Sequence, residues 1–209
     1  MREKLIGTIC LVLGITIIVT TGTSFAYFTT VADENQNITG EVTDFGVSLS
    51  LDEIYVANRL IPLEDTDIIK AVNNTPSKCI DNSGYEVCSL YKVTLTNSGE
   101  AQVLNGFIQT KNTEYITDNL KAQLLNSDLT GAVSNVLTLS RTLEEKKYFQ
   151  VDSTNLVSTQ VNNTPVTYYL AIWLTETHDY QDDDYNKNFT GSIAFESVYG
   201  QTLTAEFNS

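Results

Sequence analysis

Histidine is nearly missing from this chain. His178 is the only one among 209 residues, so no H-E-x-x-H zinc pair exists and no second imidazole can complete another zinc site. A Ser-His-Asp triad would have to use His178, which lies in the polar stretch "TETHDYQDDDY", and no G-x-S-x-G elbow occurs. The residues therefore give an enzymatic reading little support, and the expectation is a non-enzymatic protein. Basic residues are also scarce, with 12 Lys and Arg against 26 Asp and Glu and a formal net charge of −14. Such a chain repels nucleic acid and anionic lipid. Three prolines and no repeat of 20–50 residues argue against solenoids and propellers.

Long apolar runs are missing as well, with one exception near the start. After the basic "MREK", the uncharged run from Leu5 to Val19 is followed by the small, polar "TTGTS". Fifteen residues suit a signal-peptide core and fall short of the ~20 a spanning helix needs. Ser24 and Ala26 stand at the −3 and −1 positions of a small-x-small site, so residues 1–26 read as a signal peptide cut before Tyr27. A retained N-terminal anchor is the other reading. Cleavage removes Arg2, Glu3 and Lys4, leaving 183 residues with 10 basic and 25 acidic groups. The C-terminal "TLTAEFNS" has neither a hydrophobic tail nor a sortase-type signal. The expected location is secreted, in the extracellular matrix or at the cell surface, with membrane contact only before cleavage.

Of three cysteines, Cys10 leaves with the signal. Cys79 and Cys88 remain, in "CIDNSGYEVC". A tight turn at Asn82–Tyr85 would set Cys79 directly opposite Cys88 on two antiparallel strands, within bridging distance. In an oxidising compartment this predicts a disulfide, with two free thiols or a metal pair as alternatives.

The rest alternates like strands. "FGVSLSL" (45–51) sets Phe45, Val47, Leu49 and Leu51 on one face. "EVCSLYKVTLTNSG" (86–99) does the same with Val87, Ser89, Tyr91, Val93 and Leu95, then ends in a turn, with "AQVLNGFIQTK" (101–111) expected as the return strand of that hairpin. "PVTYYLAIWLTET" (165–177) is apolar on both faces, as a central strand would be, and "FTGSIAFESVYG" (189–200) follows an acidic loop. Short helices are expected at 113–120 and 142–147, the latter from capping-box spacing between Thr142 and Glu145. The fold class is all-β, a two-sheet antiparallel sandwich of jelly-roll type with one or two short helices. The sandwich spans 40–209, preceded by an N-terminal segment at 27–39. The acidic loop gathers Glu176, Asp179, Asp182, Asp183 and Asp184, a candidate for calcium without EF-hand spacing. A solvated loop is the plainer reading.

"GTSFAYFTTVADENQNITG" followed by "VSLSL" resembles the start of the TasA/camelysin family of exported Gram-positive proteins. Gly22, Thr23, Ala26 and Phe28 match its break motif, Ile38 to Gly40 stand where F-x-x-G would be, and Val47 to Leu51 match its first strand. "YKVTLTNSGEAQVLNGFI" and "YYLAIWLTET…NFTGSIAFESVYGQT" are similar to later strand segments, the second to its closing pair. Ile38 replaces the usual Phe, and the Cys79–Cys88 hairpin departs from the pattern. The resemblance implies a jelly roll, a SipW-type signal peptidase and biofilm-matrix fibres built from copies of the chain, with a minor matrix or anchoring subunit as a further partner. Some relatives carry a metallopeptidase label that the residues here do not support. Fibre assembly would use 27–39 as a donor strand, with Tyr27, Phe28, Val31 and Ile38 as anchors. A monomeric surface module, with Tyr27–Ile38 folded back on its own domain, is the alternative.

Overall fold

The computed structural model describes residues 38–41, 46–74, 79–179, 181–184 and 187–208. Strands β1 (Ile38–Glu41), β2 (Val47–Tyr55), β3 (Cys88–Asn97), β9 (Val166–Leu174), β5 (Leu120–Leu125) and β6 (Leu137–Thr138) form one sheet in that spatial order. The second sheet runs β11 (Thr202–Asn208), β10 (Phe189–Ser197), β4 (Gln102–Thr113) and β7 (Lys147–Tyr148), and β8 (Ser158–Val161) pairs the other stretch of the same β4 edge. Every pairing between these strands is antiparallel. The chain changes sheet after β3, β4, β6, β8 and β9, in the manner of a jelly roll. This is the expected sandwich.

The alternating positions meet between the sheets. Val47, Leu49 and Leu51 of β2 and Tyr91, Val93 and Leu95 of β3 are buried with Ile193, Phe195, Leu203 and Phe207 from the facing sheet. Phe45, expected on the same face, lies outside the described residues. A second apolar cluster covers the outer face of the six-stranded sheet, where Leu90, Ala171 and Trp173 pack beneath a helix α1 (Ile68–Val72) and the cysteine hairpin. This two-sided burial is why 165–177 lacks polar alternation: β9 sits between β3 and β5 with covered faces above and below.

Several expectations are corrected. β3 and β4 do not form a hairpin. Both edges of β3 are taken by β2 and β9, and β4 crosses to the other sheet to join β10. The crossing is held by the buried Asn97, whose Nδ2 donates to the carbonyls of Glu100 and Val161 and whose Oδ1 accepts from the Gly99 amide. β9 and β10 likewise lie in opposite sheets. Residues 114–119 form a loop rather than a helix, and 142–147 form a turn that runs into β7. There Ser140, not Thr142, engages Glu145 and accepts from the Thr142 amide, so the capping chemistry ties off a turn. The helix that does form, α1, spans five residues and depends on burial of Ile68, Ala71 and Val72. β11 also goes beyond the expectation; its Leu203, Ala205 and Phe207 alternate inward against β10. At the β10 bulge, a Cβ on Gly191 would stand 2.8 Å from the Gln109 carbonyl oxygen, so only glycine fits there.

Several carboxylates are held below their usual range by local donors: Asp152 by Asn155 and Thr154, Asp128 by Thr130, Glu145 by Ser140, Glu86 by Tyr55 and Glu196 by Tyr148. A carboxylate whose folded pKa is depressed adds stability above its unfolded pKa and loses it as pH falls through the folded value. The thermal midpoint should therefore drop as pH goes from about 5 to about 2. Acid also relieves the repulsion of a chain at −14. Measuring at about 0.5 M salt screens that opposing effect. A midpoint that is flat or rises over this range would show that these hydrogen bonds do not persist in solution.

Candidate functional site

The N-terminal site residues Ser24, Ala26, Tyr27, Phe28 and Val31 lie outside the described residues. Ile38 is the first residue of β1, opposite Leu51 of β2 in the same chain, and Glu41 pairs with Ser48. Among the described residues, β1 is the edge of its sheet and pairs with Ser48–Leu51 of β2. β11 is the edge strand of the facing sheet, and it lies close to both β1 and β2. Its end is tied to the six-stranded sheet where the Tyr91 hydroxyl donates to the Asn208 carbonyl. Burial, followed by the charge of Glu53, raises the Tyr91 phenol well above its ordinary value, which keeps it a donor.

Cys79 and Cys88 form a disulfide, with Cα atoms 4.9 Å apart. The register differs from the expected one. The Asp81 amide donates to Tyr85, Ile80 bridges Glu86, and the Val87 amide donates to Cys79. Cys79 thus faces Val87, and its sulfur reaches diagonally to Cys88. The cause is a turn one residue longer than expected. Asp81 accepts from the Ser83 and Tyr85 amides, and Gly84 takes a left-handed conformation with φ +84°, as a three-residue hairpin loop requires. Disulfides of this kind persist in oxidising compartments, which fits an extracellular or surface protein.

Among the described residues, the carboxylates of the acidic loop differ in exposure and do not converge on one point. Asp183 and Asp179 are exposed, Glu176 is half-buried, and Asp184 is turned inward with 2% of its surface accessible. The Asp182 side chain lies outside the described residues. Among the described residues, no three His, Cys, Asp or Glu side chains stand together as a metal site. His178 is exposed and carries φ +60°. Its Nε2 is 3.0 Å from Glu64, and Glu176 accepts from its backbone amide.

Asp184 is the polar residue that composition did not single out from its neighbours. Its Oδ2 accepts from Thr117 and, at 3.2 Å, from Asn119 Nδ2. Its Oδ1 is buried and has no hydrogen-bond partner among the described residues. Asp184 is one of the residues around a cleft of about 230 Å³ between residues 60–62, the end of β9 and the acidic loop. The cleft is framed where the Leu63 amide donates to the Leu174 carbonyl at 2.8 Å and the Glu176 amide donates to the Leu63 carbonyl at 3.0 Å. Gln181 braces the loop, donating to the Thr175 carbonyl and accepting from the Thr177 amide. Partners as distant as Thr117 and Leu60 leave no sequence signal, because the sandwich alone brings them together.

No family model matches the chain, and no curated protein sequence matches it. Loose structural likenesses exist to β-rich domains. A lipoprotein from Bacteroides thetaiotaomicron is 13% identical over 77% of each chain, with a TM-score of 0.31. The cupredoxin domain of amoB from Nitrosocaldus yellowstonii is 10% identical over 79% of this chain and 86% of its own, at 0.35. The collagen-binding subdomain of the Enterococcus faecalis surface protein ACE is 9% identical over 61% of this chain and 88% of its own, at 0.23. These scores carry no functional argument. The fold rests on the strand order itself.

Proposed function

We propose that the chain is an exported, non-enzymatic β-sandwich that assembles head-to-tail into extracellular fibres of the biofilm-matrix type. Cleavage after Ala26 by a SipW-type signal peptidase frees the segment beginning at Tyr27. That segment then adds to the sheet edge of a neighbouring copy, with Tyr27, Phe28, Val31 and Ile38 as anchors. The supporting observation is that, among the described residues, β1 and β11 are the edge strands of the two sheets. A sheet edge of this kind can take up a further strand. Each copy both gives and receives, so the contact propagates. The TasA-like break motif and the disulfide support export, and a minor anchoring subunit would terminate or attach the fibre.

A second reading, a monomeric surface module, is favoured by one observation: β1 already pairs within its own chain. Electron microscopy separates the two. Protein beginning at Tyr27 should form filaments, and protein beginning at Gly46, checked for a cooperative thermal transition, should stay monomeric. If both remain monodisperse monomers under all conditions, the fibre reading fails and the monomeric module stands.

A further inference from the structure

We propose that the hairpin tip at Val198 and Tyr199 of one copy docks in the cleft beside Leu174 of the next, a second contact for the head-to-tail assembly on whose reading it rests. The tip holds the two most exposed large apolar side chains among the described residues, Tyr199 at 83% and Val198 at 69%. Val103, one position beyond the last β10–β4 pair, is exposed beside them. The turn is held from beneath. The Oγ of the buried Ser197 accepts from the Tyr199 and Gln201 amides, the Gly200 amide donates to the Ser197 carbonyl, and Gly200 takes the left-handed conformation at φ +81°. An aromatic fixed in this way loses little freedom on binding, and tyrosine is enriched among residues that carry binding energy.

The cleft lies at the opposite end of the sandwich. β10 starts at Phe189 beside Thr113 and ends at Ser197 beside Leu104, a run of nine residues and roughly 30 Å. Residues 114–119 lead from Thr113 to Leu120, which pairs with Leu174 at the cleft. Tip and cleft of one copy are therefore a strand length apart and cannot meet. Between copies the contact is heterologous, and repeating it gives a file of copies.

The two surfaces match in size and charge. A volume of about 230 Å³ falls below the roughly 300–1,000 Å³ of small-molecule pockets and suits a single side chain. Leu60, Ile61, Pro62 and Leu174 give the ring an apolar wall, and Glu176 and Gln181 offer acceptors to the phenol hydroxyl. An acidic rim rejects tips that carry like charge. Exposed Ile54, Tyr85, Leu143 and Val151 each have a carboxylate as an immediate neighbour in the chain, whereas residues 197–204, "SVYGQTLT", have none.

The test uses protein beginning at Tyr27 with p-benzoylphenylalanine in place of Tyr199, mixed from isotope-labelled and unlabelled copies and irradiated. Mass spectrometry should find links of mixed isotope from position 199 to residues 60–62 and 174–181. Ile61→Glu, at the exposed wall, should lower their yield about tenfold or more, and Tyr199→Ala should weaken self-association in sedimentation by a similar factor. The tip variant keeps the test valid if Ile61→Glu unfolds. Links that fall elsewhere, links only within one copy, or no links overturn the contact, and filaments still seen in that case leave the fibre reading standing. Links to the cleft in short oligomers that never form filaments uphold the contact and count against the fibre reading.

Discussion

Trp173→Ala should lower stability by about 3–5 kcal/mol, the range for removing a large buried aromatic. Trp173 is fully buried on β9, opposite Cys88 on one side and Lys121 on the other. Its indole belongs to the outer cluster with Ile68, Val72 and the cysteines, and Nε1 donates to Asp65 Oδ1 at 2.9 Å. Alanine would open a cavity beneath the helix and also strip Asp65 of a donor. Domains of ordinary stability hold about 5–15 kcal/mol in total, so the loss is a large share. Denaturant titration followed by circular dichroism should show a lower midpoint with an unchanged slope. Fluorescence cannot serve, because this is the only tryptophan. Trp173→Phe should recover more than half of the loss, since it refills most of the space and gives up only the hydrogen bond. If alanine costs less than about 1 kcal/mol, the outer layer does not pack on the sheet as described.

Replacing both Cys79 and Cys88 by alanine should cost about 2–4 kcal/mol. The link closes a loop with a sequence separation of 9, and in the chain-entropy account a loop of this size is worth roughly 3 kcal/mol through the unfolded state. Both cysteines are fully buried, so the pair also contributes packing beside Leu90 and Trp173. The loss should fall unevenly. Amide protection should drop first in α1 and the hairpin, with β10 and β11, which belong to the other sheet, least affected. A loss below about 1 kcal/mol would mean that Asp81 and Gly84 hold the hairpin without the covalent link.

The two-sheet class was readable because alternation is a local signal. Val47, Leu49 and Leu51 state the inward face of β2 within five residues, whereas β11, which carries the same alternation at Leu203, Ala205 and Phe207, was not expected. Partner choice was not readable. Nothing local distinguishes a return strand that pairs with β3 from one that crosses the core, and the crossing depends on Asn97 reaching Val161, 64 residues away. The short helices failed for a related reason. The donors around Ser140 and Glu145 satisfy a turn as well as a cap, while α1 forms only where the sheet supplies an apolar floor. The disulfide was legible from spacing, although the extra residue in its turn was not. At the acidic loop, composition gave five equivalent carboxylates, and only folding made Asp184 different from Asp183.

The outer cluster makes the molecule lopsided. One broad side carries a stapled third layer over β3 and β9, and on the other, among the described residues, Lys146 meets Glu196 and lies over the buried Phe107 ring. A ribbon of copies joined through strand edges would therefore have two unlike flanks, one armoured and one ionic. Bundling of such ribbons would have a built-in polarity: they could lie back to back or front to front, and the two choices would respond in opposite ways to salt and to reducing agents.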